Sequence, residues 1–515
     1  MRRALAFVLL LSGCTVGPDY RPPEAAAPPA FAGAQPAPNP AAPPVDPAAW
    51  WRAFRDPALD DLVARALRDS PDIATAASRV RQARLGEVVA RSAYKPVVNA
   101  SAGASHVEFS KNAGFSSLAQ AFGGGASGGG GGGAGGGATG GGGSGGSGGP
   151  GQGIALPGDG ITTYSAGLDA SWEFDLFGGG RRQDEGARAR TEAATWTARD
   201  AAVTLASEVA VTYFLLRLDQ VQLAVLADEL ARQRRVLEIA DNQSRVGLVP
   251  AADVTRQRGA ITATEARLEP IRADLDVQVH ALGVLLGRPP EELAALRGAG
   301  AAPGAGAVPI VPAGLPAELL RRRPDVRAAE RQLAAATADI GVAVADLYPR
   351  LSLTGVAEFL STALGNLFTG DSLQLTATGR AMFPLVDWGR RRATVGQREE
   401  ARVQAYEAWR TTTLSALRDA EDALVQLDAE RRRNAALARA VADQEASRNA
   451  ISARYVTGLV AQDTLLTAEA DVLSAREQLA ASDAQLRRGT VALFKALGGG
   501  WQAAEPATSE QRPGS

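Results

Sequence analysis

The chain carries the same long pattern twice. SPDIATAASRVRQA from Ser70 parallels RPDVRAAERQLAAA from Arg323, and Pro71 is followed by Pro96 at the spacing at which Pro324 is followed by Pro349. FGGGRRQ from Phe177 parallels WGRRRA from Trp388; beyond them Gly247-Leu248 matches Gly458-Leu459 and Gly287 matches Gly498, all at one ungapped offset. A tandem duplication constrains the fold more than any local motif, because what one copy builds the other must build as well. It also decides the status of the glycine-rich stretch at 123–153. That composition is typical of a random-coil linker between domains, yet the stretch falls inside the first copy, opposite the shorter STALGNLFTGD from Ser361. It therefore reads as the loop of a hairpin, and the seam of the chain moves to about Gly287–Pro316.

Within each copy the periodicity switches. Asp56-Pro57 and Ser70-Pro71 place a capping side chain before a proline at the first helical position, and helical sequence follows to about Ala93. VVNASAGASHV then alternates weakly from Val98. After the glycine run the alternation is strong: Tyr164, Ala166, Leu168, Ala170, Trp172, Phe174 and Leu176 fall on one face, with Thr163, Ser165, Gly167, Asp169, Ser171, Glu173 and Asp175 on the other. Copy two repeats this with Leu351, Leu353, Ala357 and Phe359 opposite Ser352, Thr354 and Glu358. It does so again with Leu373, Leu375, Ala377, Ala381 and Phe383 opposite Gln374, Thr376, Thr378 and Arg380. Each copy thus supplies one long hairpin. Strands of this length exceed the ~9–11 residues that cross a bilayer when tilted, and apolar-out, polar-in alternation is the transmembrane barrel pattern; a soluble, half-buried sheet would alternate in the same way. Four strands cannot close a membrane barrel, which needs at least ~8, and open edges are not tolerated in lipid. On the barrel reading the chain must assemble, with two copies giving eight strands and three giving twelve.

Long helices follow each hairpin. Arg181 to about Ser244 contains no proline, and at ~1.5 Å per residue a continuous helix would extend roughly 95 Å. Alanine occurs on every face, which suits helices packed on both sides better than one amphipathic stripe or a strict heptad seam. Each long helix ends near a glycine and returns through a second helix, Asp253 to about Leu286 and Asp463 to about Leu497.

The N-terminus MRRALAFVLLLSGC reads as a secretory signal, too short to span a bilayer, and Ser12-Gly13 before Cys14 resembles a bacterial lipobox. The resemblance implies cleavage after residue 13 and a covalent lipid on Cys14; Thr15 after the cysteine suits a lipoprotein of the outer membrane. An ordinary signal peptide with an incidental cysteine is the plainer alternative. A formal net charge of -2 gives no basic surface for nucleic acid, and two His with one Cys leave little material for a metal site and none for an internal disulfide. The glycine run is not followed by Lys-Ser/Thr and opens no strand-to-helix unit, so no nucleotide site is expected. No Ser/His/Asp or Cys/His set is available, so neither catalytic residues nor a metal or cofactor beyond the lipid is expected.

CTVGPDYRPP at Cys14, WWRAFRDPALDDLV at Trp50, LPAELLRRRPDVRAAERQLAAATADIGVAVADLYPRLSLTG at Leu315, PLVDWGRRR at Pro384 and RYVTGLVAQDTLLTAE at Arg454 together resemble the outer membrane factor family, the TolC-like, NodT-type lipoproteins of tripartite efflux systems. The resemblance covers Cys14 to about Gly498 and is most specific over Leu315–Gly355. It implies a homotrimer whose twelve-stranded β-barrel in the outer membrane continues as an α-helical barrel in the periplasm. It further implies a passive, multidrug-type exit duct, completed by a periplasmic adaptor (membrane fusion) protein and an inner-membrane transporter of the resistance-nodulation-division type.

The family closes its tube at the helix-to-helix turns. Val246-Gly247-Leu248 and Thr457-Gly458-Leu459 match the turns that contact the adaptor. Tyr455 matches a gate tyrosine that bonds an Asp of a neighbouring chain, and Asp253 matches that Asp; a helix cap at Asp253 is the alternative. An Arg of the family gate is Val460 here. Asp463 lies one position from a constricting acidic ring and equally suits a cap. Asp169, Glu173, Asp175, Glu358 and Arg380 would face the barrel lumen. The expected organisation is a signal peptide at 1–13, a lipid-anchored Pro/Ala-rich strap at 14–49, repeats at 50–286 and 317–498 joined by 287–316, and a disordered tail at 499–515. The competing class is a non-conducting periplasmic scaffold lipoprotein or an adaptor, which should lack the four alternating segments.

Overall fold

The structure, a computed structural model, describes residues 15–24, 28–32, 46–108, 161–298, 308–309 and 316–502. The signal peptide with Cys14, the glycine-rich loop at 123–153, and parts of the strap, inter-repeat connection and tail lie outside the described residues. A 3-10 segment, Pro47–Phe54, precedes α1 (Pro57–Asp69), α2 (Pro71–Ser92), β1 (Val97–Val107), β2 (Ile161–Phe174), α3 (Gly179–Arg245) and α4 (Ala251–Leu286). After a second 3-10 segment come α5 (Pro316–Arg322), α6 (Pro324–Ala345), β3 (Arg350–Ser361), β4 (Leu373–Met382), α7 (Arg390–Val456) and α8 (Gln462–Ala496).

These elements form two compact units that cut across the duplication. The strands lie in a unit made of Ser92–Phe177 and Asp346–Val386, and the helices in one made of Thr15–Arg91, Gly178–Ala345 and Asp387–Ser515. Each repeat therefore contributes a hairpin to one unit and its helices to the other.

The sheet is antiparallel in the order β1-β2-β3-β4. Its register aligns the polar residues of the four strands on one face: Asn99 pairs with Asp169, Gly167 with Glu358, Glu358 with Gln374, and Ser352 with both Glu173 and Arg380. Leu168 beside Ala357 and Trp172 beside Leu353 share the opposite, apolar face. Trp172 and Phe174, two residues apart on that face, bring their ring centroids to 3.9 Å, and the Trp172 indole donates to the Tyr94 carbonyl at 3.0 Å.

In the helical unit α3 packs on α4, α6 and α8, and α7 packs on α6 and α8. The main core is built where Trp50, Trp51 and Phe54 and the α1 residues Leu59, Leu62 and Val63 meet Val209, Tyr213 and Phe214 of α3, Val279 and Leu282 of α4, and Phe494 of α8. Trp50 is fully buried and stacks on Phe494 at 5.2 Å between centroids. Asp56 caps α1 through the Ala58 and Leu59 amides and also accepts from the Tyr213 hydroxyl at 2.7 Å, tying the start of that helix to α3. A second core gathers Phe31, Leu319 and Leu320 against Trp409, Ala416 and Ala420 of α7. A stretch of α3 is long and apolar enough to cross a membrane, but more than half of it is buried inside the protein, so its hydropathy is that of a core helix. α4, the return helix expected from Asp253, starts at Ala251 and runs through Pro270 without ending.

The residues after Cys14 are docked rather than loose. Arg182, buried at the start of α3, donates to the Val16 and Gly17 carbonyls at 3.2 and 3.3 Å and pairs with Asp19 at 2.7 Å. Gly17 has a φ of +88°, and a Cβ there would lie 2.5 Å from the Cα of Gly341 in α6, so only glycine fits this crossing. Tyr20 donates to Glu330 of α6 at 3.0 Å, and the Ala32 amide to Glu421 of α7 at 2.7 Å.

Candidate gate and lumen residues

The two helix-to-helix turns have one geometry. α3 ends at Arg245, Val246 leaves the helix, and Gly247 takes a φ of +74°; its amide bonds the Ser244 carbonyl and the Leu248 amide reaches back to Gln243 at 2.9 Å. α7 ends at Val456, Thr457 leaves the helix, and Gly458 takes a φ of +74°; the Leu459 amide reaches back to Arg454 at 2.9 Å. This is the six-to-one closure of a Schellman motif, which satisfies the last carbonyls of each helix and requires a left-handed residue after the cap. A Cβ on either glycine would meet no atom of this protomer within 4 Å, so the backbone angle, not crowding, demands glycine. The turns expose Val246 at 70% and Leu459 at 75%, with Leu248 and Val456 also in solvent.

Asp253 sits in the first turn of α4, whose N-cap is Pro250, and its carboxylate pairs with Arg256 at 3.1 Å, so the helix-cap reading does not describe it. Tyr455, in the last turn of α7, is buried; burial raises its hydroxyl pKa, and the nearby Asp253 and Glu469 charges raise it further. Asp253 and Tyr455 therefore come within electrostatic reach inside one protomer, whereas the expected pairing ran between chains. Asp463 lies in the first turn of α8, behind an Ala461 N-cap, and accepts from the Thr464 amide at 2.8 Å, a local turn contact.

On the sheet, Asp169, Glu173, Glu358 and Arg380 share the polar face, and Asp169 accepts from Asn99 at 2.9 Å. Asp175 lies one residue past Phe174, the last residue of β2, where regular pairing stops. Glu358 lies across Gly167, where a Cβ would come within 2.5 Å of the Glu358 Cβ.

Sequence reasoning missed a group of buried polar side chains near the turns. Glu229 and Gln233 of α3, Gln257 of α4, and Gln462 and Glu469 of α8 are all buried. Glu469 is pushed up to about 7, by burial first and then by the Glu229 charge, against the pull of Arg232 and Arg448. Their spacing held the signal: Glu229 and Gln233 are four apart and Gln462 and Glu469 seven apart, so each pair shares a helix face.

Over residues 62–288 and 315–499 the chain matches the family described as outer membrane efflux protein. It is 31% identical to the pyoverdine export outer membrane protein OpmQ of Pseudomonas putida, with 89% of each chain covered. It is 28% identical to nodulation protein T of Rhizobium leguminosarum bv. viciae, covering 99% of this chain and 95% of that one. Among solved structures it resembles the outer-membrane channel OprN at a TM-score of 0.78 and 30% identity, covering 95% of this chain and all of OprN. The two matched segments, the shared fold and the polar and apolar faces of the sheet lead to one conclusion: the chain belongs to the outer membrane efflux protein family, outer membrane channels of efflux systems.

Proposed function

We propose that three copies of this chain close one twelve-stranded barrel and that their helix tips form a shutter opened by a docking adaptor. The observation that carries the reading is the sheet itself: four antiparallel strands, one polar face, and outer strands β1 and β4 with no further strand beside them among the described residues. Such edges in lipid must be met by other strands, and four strands are too few to close alone. The duplication supports the same assembly in the helical unit. α6 buries Val326, Leu333 and Ile340, whereas its repeat counterpart α2 leaves Leu85, Val88 and Val89 exposed, a face suited to the next copy. The number three, rather than two, comes from the resemblance to the outer membrane factors.

Asp169, Glu173, Glu358 and Arg380 then line a water-filled lumen. Val246 to Leu248 and Thr457 to Leu459 meet the periplasmic adaptor, a partner inner-membrane transporter supplies the energy, and a lipid on Cys14 anchors each copy. The duct performs no chemistry. Asp253 and Tyr455 hold the tips together, with Asp463 beside them. Breaking a hydrogen bond to a charged group costs ~1.5–3 kcal/mol, so Asp253→Ala with Tyr455→Phe should shift the closed-to-open ratio at least ~10-fold per protomer. Single-channel recording in planar bilayers tests this: the wild type should conduct rarely and the double variant often. A scaffold or adaptor gives no current in either form, and equal open probability in both removes these residues from the gate.

A further inference from the structure

The buried polar side chains form a continuous run that joins three helices just inside the turns. Glu229, 1% exposed, accepts from Arg232 at 2.8 Å and from Gln233 at 3.1 Å on the same helix, α3. Gln257 of α4 donates to the Gln233 carbonyl at 3.0 Å and accepts from Gln462 of α8 at 3.1 Å. Glu469 lies about two turns further along α8, is 4% exposed, and its Oε2 has no hydrogen-bond partner among the described residues. It is faced by Glu229 and Arg232 from α3 and by Arg448 and Tyr455 from α7, the two helices against which α8 packs near its tip.

Building on the shutter reading, we propose that Glu469 is a proton switch: protonated, it lets α8 pack against α3 and keeps the tips shut; ionised, it repels Glu229 and loosens them. The two carboxylates are not equivalent. Glu229 accepts from Arg232 and from the Gln233 side-chain amide, whereas Oε2 of Glu469 is buried with no hydrogen-bond partner among the described residues. Ionising that second carboxylate in place means burying a charge beside a like charge, which the packed arrangement resists by keeping the proton. A bound metal ion is a poor substitute, since Arg232 and Arg448 already flank the site. When α8 parts from α3, Glu469 meets water, releases its proton to it and returns to an ordinary carboxylate.

The sign follows from linkage. In the packed state the carboxyl is raised from 4.5 to about 7, so packing is favoured at acid pH and loses that advantage as pH rises from the ordinary value through about 7. A span of two to three pH units at tenfold each limits the change in the packed-to-parted ratio to roughly 100-fold or somewhat more per protomer.

The test uses the full-length protein in planar bilayers between pH 5 and 8.5. Wild-type open probability should rise at least ~10-fold between pH 6 and 8. Glu469→Gln, isosteric and uncharged, should keep the acid-like value throughout, and Glu229→Gln should move the transition to lower pH. A flat wild-type profile, or a Glu469→Gln profile that follows the wild type, overturns the switch. A second reading does not need current: spin labels on cysteines replacing the exposed Val246 and Val456 report the distance between the turns. That distance should lengthen above pH 7 in the wild type and not with Glu469→Gln; a pH-independent distance overturns the proposal. A pH-dependent distance without current would instead refute the channel reading and leave the switch standing.

Discussion

Gln257 offers a direct measure of how firmly the tip helices are joined. It is fully buried and makes two bonds to other helices, one to the Gln233 carbonyl and one from the Gln462 amide. Gln257→Leu keeps the volume and removes both. Each hydrogen bond contributes ~1 kcal/mol net, and the stranded Gln462 amide adds ~1–3 kcal/mol as a buried donor without an acceptor, giving about 3–5 kcal/mol in total. That amounts to at least a ~100-fold rise in local opening. Native-state amide exchange reports it: protection in the first turns of α4 and α8 should fall by this factor, while the Trp50 core keeps its own. The double variant Gln257→Leu with Gln462→Leu removes the orphan donor and should recover most of the loss, because replacing both partners by apolar groups is nearly neutral. A change under ~3-fold in the single variant, or a double variant as exposed as the two singles added, would show that the polar run does not hold these helices together.

Two further outcomes probe the core and the turns. Trp50→Ala empties the site between Phe494, Trp51 and Phe54 and should cost ~3–5 kcal/mol, read as a lowered midpoint of denaturant unfolding followed by helical circular dichroism; a cost under ~1 kcal/mol would mean the segment before α1 is peripheral. Gly458→Ala forces an L side chain into a φ of +74° with no steric clash and should cost ~1–2 kcal/mol of turn stability, with Gly458→Asn milder; equal exchange at the Leu459 amide in all three forms would contradict the left-handed cap.

Much of the fold was legible because the duplication let two weak patterns support one another. The long helix expected over Arg181 to about Ser244 spans Gly179–Arg245, and the strand pattern from Tyr164 to Phe174 survives residue for residue in the register. Where the sequence misled, a local rule met a tertiary one. The alternation of the sequence runs on past Phe174, where the regular pairing of β2 stops, since pairing and not periodicity ends a strand. The buried run from Glu229 to Glu469 went unread for a different reason, because its spacing alone does not say which way a helix face points. In helices where alanine lines every side, hydropathy marks no inward face, so a polar residue that points inward looks like one that points to water. The main core likewise joins Trp50 to Phe214 and Phe494, which lie far from it in the chain and share no local pattern with it.

The docked N-terminus changes what a lipid on Cys14 would mean. Thr15 lies against Gly178, where a Cβ would approach its Cα to 2.8 Å, and the next residues are clamped by Arg182. Only two peptide units, roughly 7 Å at full extension, separate the cysteine from the first clamped residue, Val16. A chain acylated there is not moored on a rope; it is riveted, and each protomer would turn about the membrane normal only by dragging its acyl chains with it.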